Sequence, residues 1–418
     1  MLAALLLASP AGAADPRRAQ QWNLDLIEAD AAHRVSTGTG AVVAVIDSGV
    51  QAGHPDLAGR IGAGHDVVQR DATPQDGDGH GTHVSGIVAA ASGNGIGVES
   101  VAPGATIMPI RVLGDDGGGS TDDVAAGVDY ARTHGADVIN LSLGSEVPLI
   151  GAIGGDAFEA AVQRAIGAGI VVVAAAGNNG VPVCEQPSAS GLLCVGAVDK
   201  RRARSFFSSF GSGLGVVAPG GSGASAAMRG EDILSTFKGS TYQELAGTSQ
   251  AAPHVSGVAA LLVARGVRGA AAGQRIRATA TDLGAPGADA EFGAGLVNAR
   301  AAVTGLGVGG TGSPGPAHQP LEPFVRVQRQ QRARTILRRG IRLRVRSVQA
   351  GRARVRVKSG GHLIARGSRS LPAERTATLD ARLTKRGRRL ARRRAFEARV
   401  RVRLPGERRD RVRKIRVR

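Results

Sequence analysis

The chain is 418 residues long and 42% hydrophobic, enough apolar surface for two or three domain cores and too much for a disordered polymer. Its 62 glycines follow no Gly-x-y period, which excludes a collagen, and an aromatic content of 3% argues against nucleic-acid recognition by stacked rings. The net charge of +19 is a sum of opposites: residues 321–418 hold 34 Lys+Arg and 6 Asp+Glu, net +28, whereas residues 1–320 hold 19 and 28, net −9.

In chain order, residues 1–13 form a short apolar run ending in Ala11-Gly12-Ala13, the small-x-small pattern of a cleaved signal peptide. From about residue 41, short β-branched runs alternate with helical spacing. Residues 41–46, 107–113, 138–143 and 170–176 read as strands, and 122–133 as a helix behind the cap candidates Ser120 and Thr121. Apolar strands separated by helices predict an α/β domain whose mostly parallel sheet is covered on both faces. Such sheets hold ligands at the carboxyl ends of their strands. Cys184 and Cys194 are the only cysteines, and in an exported chain they predict a disulfide closing a surface loop. Residues 305–320, rich in Gly and Pro and almost uncharged, read as a linker. Beyond it, 341–346, 353–357, 398–404 and 411–417 alternate apolar residues with Arg, the period of a small antiparallel β domain with one aliphatic and one wet face. Residues 384–395 fit either a connecting helix or a charged loop. After the leader no stretch has the ~18 uncharged apolar residues that a membrane span needs.

Four segments carry polar groups suited to chemistry. Asp47 ends the first strand. His80 and His83 follow the turn Asp76-Gly77-Asp78-Gly79; they lack a third metal ligand, and Ile87 occupies the position where an EF-hand needs Glu. Ser249, after Gly247-Thr248, opens a buried helix where backbone N–H groups are unpaired. Asn178 ends the fourth strand. Each alone has a plainer reading as a cap, a turn residue or a core histidine. Together they supply what acyl transfer needs. A serine hydroxyl requires a base, the base requires a carboxylate to hold its tautomer, and the resulting oxyanion requires donors.

The order Asp…His…Ser, with Asp47-Ser48-Gly49, His80-Gly81-Thr82-His83 and Gly247-Thr248-Ser249-Gln250, resembles the subtilisin-type serine endopeptidases over roughly residues 20–305. The resemblance implies a three-layer peptidase domain at 20–304, with Asp47 as orienter, His80 as base, Ser249 as nucleophile and Asn178 as oxyanion donor. His83 and His254 become structural. Ser142, Leu143 and Gly144 would form one substrate edge and Gly117, Gly118 and Gly119 the other, the peptide adding as a strand between them. Glu185 falls in the loop expected to floor the specificity pocket. A structural calcium ion is implied on Asp56 and Asn94 with the carbonyls of Ile96 and Val98, its N-terminal ligand being Gln20, Gln21 or none.

The expected protein is thus a secreted, monomeric peptidase acting on proteins or peptides. Two other readings are a catalytically silent binding protein on the same scaffold and a narrow processing protease. The immunoglobulin-like or β-sandwich-like domain at 321–418 reads either as a spacer or as an anchor for anionic cell-surface polymers. Nucleic acid is disfavoured because only charge speaks for it.

Overall fold

The computed structural model describes residues 14–143, 156–184, 191–223 and 230–306, and in the C-terminal part 324–326, 330–331, 337, 341–346, 351–360, 362–371, 376–393, 396–404 and 411–417. The leader, Gly144, Glu185 and the linker after residue 306 lie outside these. The chain divides into two compact units, split between Gly312 and Ser313.

Seven strands build the main sheet of the first unit: β1 (Val42–Asp47), β2 (His65–Asp66), β3 (Thr106–Arg111), β4 (Val138–Leu141), β5 (Val171–Ala175), β6 (Leu193–Val198) and β7 (Leu214–Pro219). They form one parallel sheet in the order β2-β3-β1-β4-β5-β6-β7. Helices α1 (Trp22–Leu26), α2 (Ala29–His33), α3 (His80–Ala89), α4 (Thr121–Thr133), α5 (Asp156–Gly167), α6 (Thr248–Ala264), α7 (Gly269–Ala278) and α8 (Ala299–Val303) surround it.

Strand parity sorts the side chains into two cores. Val43, Val45, Val138, Val171 and Val173 pack with Val84 and Val88 of α3 and with the apolar residues of α6. Ala44, Ile46, Ile139, Leu141, Val172 and Ala174 face the other way, onto Val124 and Val128 of α4 and Phe158 and Val162 of α5. The result is three layers, with a sheet buried on both sides, as its unbroken apolar strands require. Each fully buried Val, Leu or Ile contributes about 1.5–3 kcal/mol relative to exposure. Helix α6 has no wet face, being buried from Thr248 to Val263, which suits a helix apolar all round. Ser120 caps α4, accepting from the Asp123 N–H at 3.0 Å.

The path of the chain fixes where a ligand can sit. From β1 the chain moves to β3 on one side and then to β4 on the other, so the strand order reverses about β1. Loops leaving the carboxyl ends there diverge and open a crevice. Asp47 is the last residue of β1.

A two-stranded antiparallel hairpin, β8 (Ile233–Phe237) with β9 (Thr241–Leu245), leans on α3. The disulfide joins Cys184, in the loop after β5, to Cys194 of β6.

The second unit contains β10 (Phe324–Arg326), β11 (Gln330–Gln331), β12 (Ile341–Arg346), β13 (Gly351–Ser359), β14 (His362–Leu371), β15 (Thr376–Leu383), α9 (Lys385–Arg393), β16 (Phe396–Arg403) and β17 (Arg411–Val417). They form one eight-stranded array, antiparallel except where β11 joins β17. Alternate residues (Val355, Val357, Val400, Val402 and Ile415 among them) bury one aliphatic core, and the intervening Arg354, Arg356, Arg399 and Arg401 are exposed. The array is continuous among the described residues, β14 and β15 meeting at Ala365 opposite Leu383 and Arg366 opposite Arg382. The helix-or-loop alternative at 384–395 resolves as α9.

Candidate active site

Asp47 is fully buried, and its Oδ1 accepts from His80 Nδ1 at 2.7 Å and from the Ser48 N–H at 2.7 Å. His80 opens α3, and the approach of α3 to β1 is set by Gly81. A Cβ there would stand 2.1 Å from the Gly49 carbonyl and 3.2 Å from the Asp47 Cβ, so any side chain at 81 would drive the imidazole off the carboxylate. Gly79 precedes it at φ 110°, with the Phe237 ring 2.5 Å from where its Cβ would be.

Asp76 holds this corner together. Its Oδ1 accepts from Ser48 Oγ at 2.9 Å and from the Gly79 N–H at 2.7 Å; its Oδ2 accepts from the Thr82 N–H at 2.9 Å and Thr82 Oγ1 at 2.6 Å. Ser48 Oγ in turn accepts from the Gly81 N–H at 2.9 Å. A carboxylate at a helix start is placed well for the helix dipole. Neither Ser48 nor Asp76 was singled out by the sequence for this task; the polar residue directly after the strand was the available signal.

Burial pulls the pKa of His80 down, but the charge of Asp47, the hydrogen bond to it and the nearby Asp78 and Asp76 outweigh this and lift it to about 9. The other two histidines go the opposite way. Burial lowers His83 to about 3 and His254 to about 4. His83 Nε2 donates to the carbonyls of Ile233 and Gln243, and His254 donates from Nδ1 to the Gln250 carbonyl while Nε2 accepts from Asn23 Nδ2 at 2.8 Å. Both are neutral core groups tying α3 and α6 to their neighbours.

Ser249 is the second residue of α6, whose start is hung from the carboxyl end of β7 by the Gly247 N–H to Gly220 carbonyl bond at 2.9 Å. Its hydroxyl donates to the Ser142 carbonyl at 3.1 Å instead of to the imidazole. Asn178, just past β5, is oriented by Thr248: Oδ1 accepts from both the N–H and the hydroxyl of Thr248 at 2.9 Å. With its acceptor engaged, the amide presents its donor, and Nδ2 lies beside Gly247, 3.5 Å from where a Cβ would be. Behind them runs a buried relay: Ser256 Oγ donates to Asn140 Oδ1 at 2.8 Å, Asn140 Nδ2 to Ser142 Oγ at 2.9 Å, and Ser142 Oγ to the Ser249 carbonyl at 2.7 Å. Thr248, Asn140 and Ser256 were not legible as site residues, since isolated polar positions in apolar runs carry no pattern.

Of the candidate substrate edges, Ser142 and Leu143 are buried at the end of β4, and Gly144 lies outside the described residues. Gly117, Gly118 and Gly119 form a turn closed by the Gly114 N–H to Gly118 carbonyl bond at 2.7 Å, and a Cβ on Gly117 would stand 3.9 Å from Asp78 Oδ2, next to the His80 loop.

The loop at 93–98 gathers two carboxylates. Asp56 accepts from Asn94 Nδ2 at 2.9 Å and from the Val98 N–H at 2.8 Å. Asp15 accepts from the N–H groups of Gly93, Asn94 and Gly95. Burial first, and the charge of Asp15 among the further causes, raises the Asp56 pKa, a situation that a bound cation relieves. Asp15, Asp56 and Asn94 carry hard oxygens of the kind calcium takes, but Asn94 turns its Nδ2 to Asp56 and its Oδ1 accepts from the Ile96 N–H at 2.8 Å, so its amide would have to turn to ligate an ion. On the N-terminal side it is Asp15 that meets this loop, whereas the amide of Gln21 is spent on the backbone of Glu99 at 2.8 Å. Asp30, His33 and Glu99 also bring ligand atoms within 4.8 Å of one another, but Arg18 already pairs with Asp30 at 2.8 Å and Glu99 at 3.7 Å and serves as their cation.

The subtilase family model matches residues 38–295. The chain is 43% identical to thermitase of Thermoactinomyces vulgaris over 248 residues, 59% of this chain and 83% of that one. It is 41% identical to subtilisin BL of Lederbergia lenta over 285 residues, 67% of this chain and 97% of that one. Among solved structures, a protease from Pseudoalteromonas arctica PAMC 21717 superposes with a TM-score of 0.62 at 33% identity, covering 70% of this chain and 98% of its own. A sheet reversing at β1, two helices carrying a histidine and a serine in their first turns, and relatives of this kind lead to one assignment: the chain belongs to the subtilase family and is a subtilisin-type serine endopeptidase.

Proposed function

We propose that this peptidase cleaves peptide bonds through a covalent acyl-enzyme on Ser249, with His80 as general base and Asp47 as its orienter. The observation that carries the reading is the 2.7 Å bond from His80 Nδ1 to the buried Asp47 carboxylate, which leaves Nε2 as the ring's acceptor for the serine proton. The Ser249 oxygen attacks the scissile carbonyl carbon as its proton passes to His80 Nε2. The carbonyl oxygen becomes an oxyanion held by Asn178 Nδ2 and the Ser249 backbone N–H. Collapse expels the amine, which takes the proton from His80, and leaves an ester on Ser249. Water, deprotonated by the same imidazole, then hydrolyses the ester. Gly117–119 and Ser142–Gly144 flank the peptide, whose backbone N–H competes with the Ser249 hydroxyl for the Ser142 carbonyl and so frees the nucleophile.

The leader pattern and the disulfide support action outside the cytoplasm. Calcium would be held by Asp15, Asp56 and Asn94 with the carbonyls of Ile96 and Val98, and when bound it supplies charge that keeps this loop folded. The decisive experiment is Ser249→Ala, expected to lower turnover by several orders of magnitude and to abolish labelling by a fluorophosphonate while the thermal midpoint is retained. Undiminished hydrolysis overturns the assignment of the nucleophile. Absence of labelling in the folded parent protein favours a silent binding scaffold.

A further inference from the structure

The basic share of the charge plays no part in the chemistry above, yet it is ordered. Across β13 and β16 the exposed cations stand directly opposite one another: Arg354 with Arg403, Arg356 with Arg401 and Lys358 with Arg399. Strand β14 extends the middle rung, placing Arg366 opposite Arg356. Together β13, β14 and β16 contain nine Lys and Arg and one acid, Glu397. Like charges directly opposite destabilise an antiparallel pair, their Cβ atoms being only about 4.5–5.5 Å apart. A surface needed only for solubility intersperses the two signs. Here the repulsion is built into successive rungs, backed by the rigid buried row of Val355, Val357, Val400 and Val402. A cleft of about 230 Å³ opens between Arg354, Arg356, Arg401 and Arg403, and a wider groove of about 1020 Å³ continues over Arg352, Arg366 and Arg382.

We propose that this ladder of opposed arginines is a binding face for a linear phosphodiester polymer of the cell envelope. An anion lying between two opposed guanidinium groups converts their repulsion into two attractions, and the planar fork of each Arg matches phosphate oxygens bidentately. Rungs recur about every 6.6–6.8 Å along a strand, two residues at a time, so the face suits a chain carrying one charge per repeat. Phe396 is the sole Phe, Tyr or Trp in these three strands, which leaves single-stranded nucleic acid little to stack on. The inference is independent of the peptidase mechanism.

The test uses the full chain carrying Ser249→Ala throughout, to prevent self-digestion, and poly(glycerol phosphate) as the probe. Binding to the parent should weaken linearly in log–log form between 50 and 200 mM salt, with a slope of roughly −0.7 per phosphate engaged. The pair Arg356→Gln and Arg401→Gln, which removes one rung and so one phosphate contact, should reduce that slope by about 0.7 and weaken affinity at least tenfold at about 50 mM salt. It should unfold at no lower temperature than the parent, because two opposed charges are gone. Lys200→Gln with Arg202→Gln, the same charge loss in the first unit, should change affinity less than twofold. The proposal is overturned if the parent does not bind the polymer, if the control pair loses as much as the ladder pair, or if duplex DNA binds more tightly at equal phosphate concentration. The first of these outcomes is read on the parent, without either pair of substitutions.

Discussion

Ser142 and Ser249 exchange two hydrogen bonds, the Ser142 hydroxyl donating to the Ser249 carbonyl at 2.7 Å and the Ser249 hydroxyl to the Ser142 carbonyl at 3.1 Å. The first bond answers a local defect. Pro253 lies inside α6 and has no N–H, so the carbonyl four residues earlier, that of Ser249, has no helical donor. Ser142, directly after β4, supplies the missing donor, and in doing so ties the candidate substrate edge to the candidate nucleophile.

Ser142→Ala should therefore lower stability by about 1–3 kcal/mol, the cost of stranding a buried carbonyl, and reduce kcat more than it raises KM. Pro253→Ala restores an N–H at the right position. In the Ser142→Ala background it should recover part of the loss, giving a coupling of about 0.5–3 kcal/mol in a double-mutant cycle measured by denaturant unfolding. Strict additivity overturns the account.

With His80 lifted to about 9, its base form accumulates only on the alkaline side, and kcat/KM should climb with pH along a limb centred there. Asp47→Asn removes the main raising influence, so the limb moves to lower pH while kcat falls by about 10⁴-fold, as when Asn replaces the orienting Asp of such a triad. The linkage to stability follows in sign. A folded-state pKa above the ordinary 6.5 means that the charged pair contributes fully below that value and is lost as pH rises through about 9. Unfolding curves at pH 6 and pH 10 provide the check, with Asp47→Asn showing a smaller difference between them.

Asp76→Asn exchanges a carboxylate that accepts five hydrogen bonds for a group with one acceptor oxygen and two donors. The bonds to Ser48, Gly79 and Thr82 cannot all survive, and a loss of on the order of 3 kcal/mol is expected. Because these bonds also seat Gly81 against β1, activity should fall at temperatures where the variant is still folded. Kinetics well below its thermal midpoint test this.

Chelation should lower the thermal midpoint of the wild-type chain and leave that of Asp15→Asn nearly unchanged, because this variant has already lost one of the two carboxylates on the loop. A Gln21→Ala variant should respond to chelation as the wild type does.

Much of this arrangement was legible beforehand. The runs at 41–46, 107–113, 138–143 and 170–176 are β-branched and unbroken, and they became β1, β3, β4 and β5 with ends shifted by up to two residues. Asp47, His80, Asn178 and Ser249 stood out because each sits where a periodic segment begins or stops. The strands at 214–219 and 233–245 were harder to see, since they are short and flanked by Gly and Ser without a distinct period. In the tail, β14 and β15 carry no such signal, because Gly367 and Ser368 or Thr376 and Thr378 interrupt the apolar–Arg alternation that marks β12 and β13.

Sequence by itself determined the division into an acidic body and a basic tail, the alternation of strands and helices, and the order of carboxylate, imidazole and hydroxyl. Those properties are written in composition and period. Only tertiary structure decided that Asp76 organises the histidine corner, that Thr248 turns Asn178, that Asp15 meets the 93–98 loop, and that Arg faces Arg across β13 and β16. Each of these depends on groups brought together from separate segments, and on which hydrogen-bond acceptors are already engaged once the chain has packed.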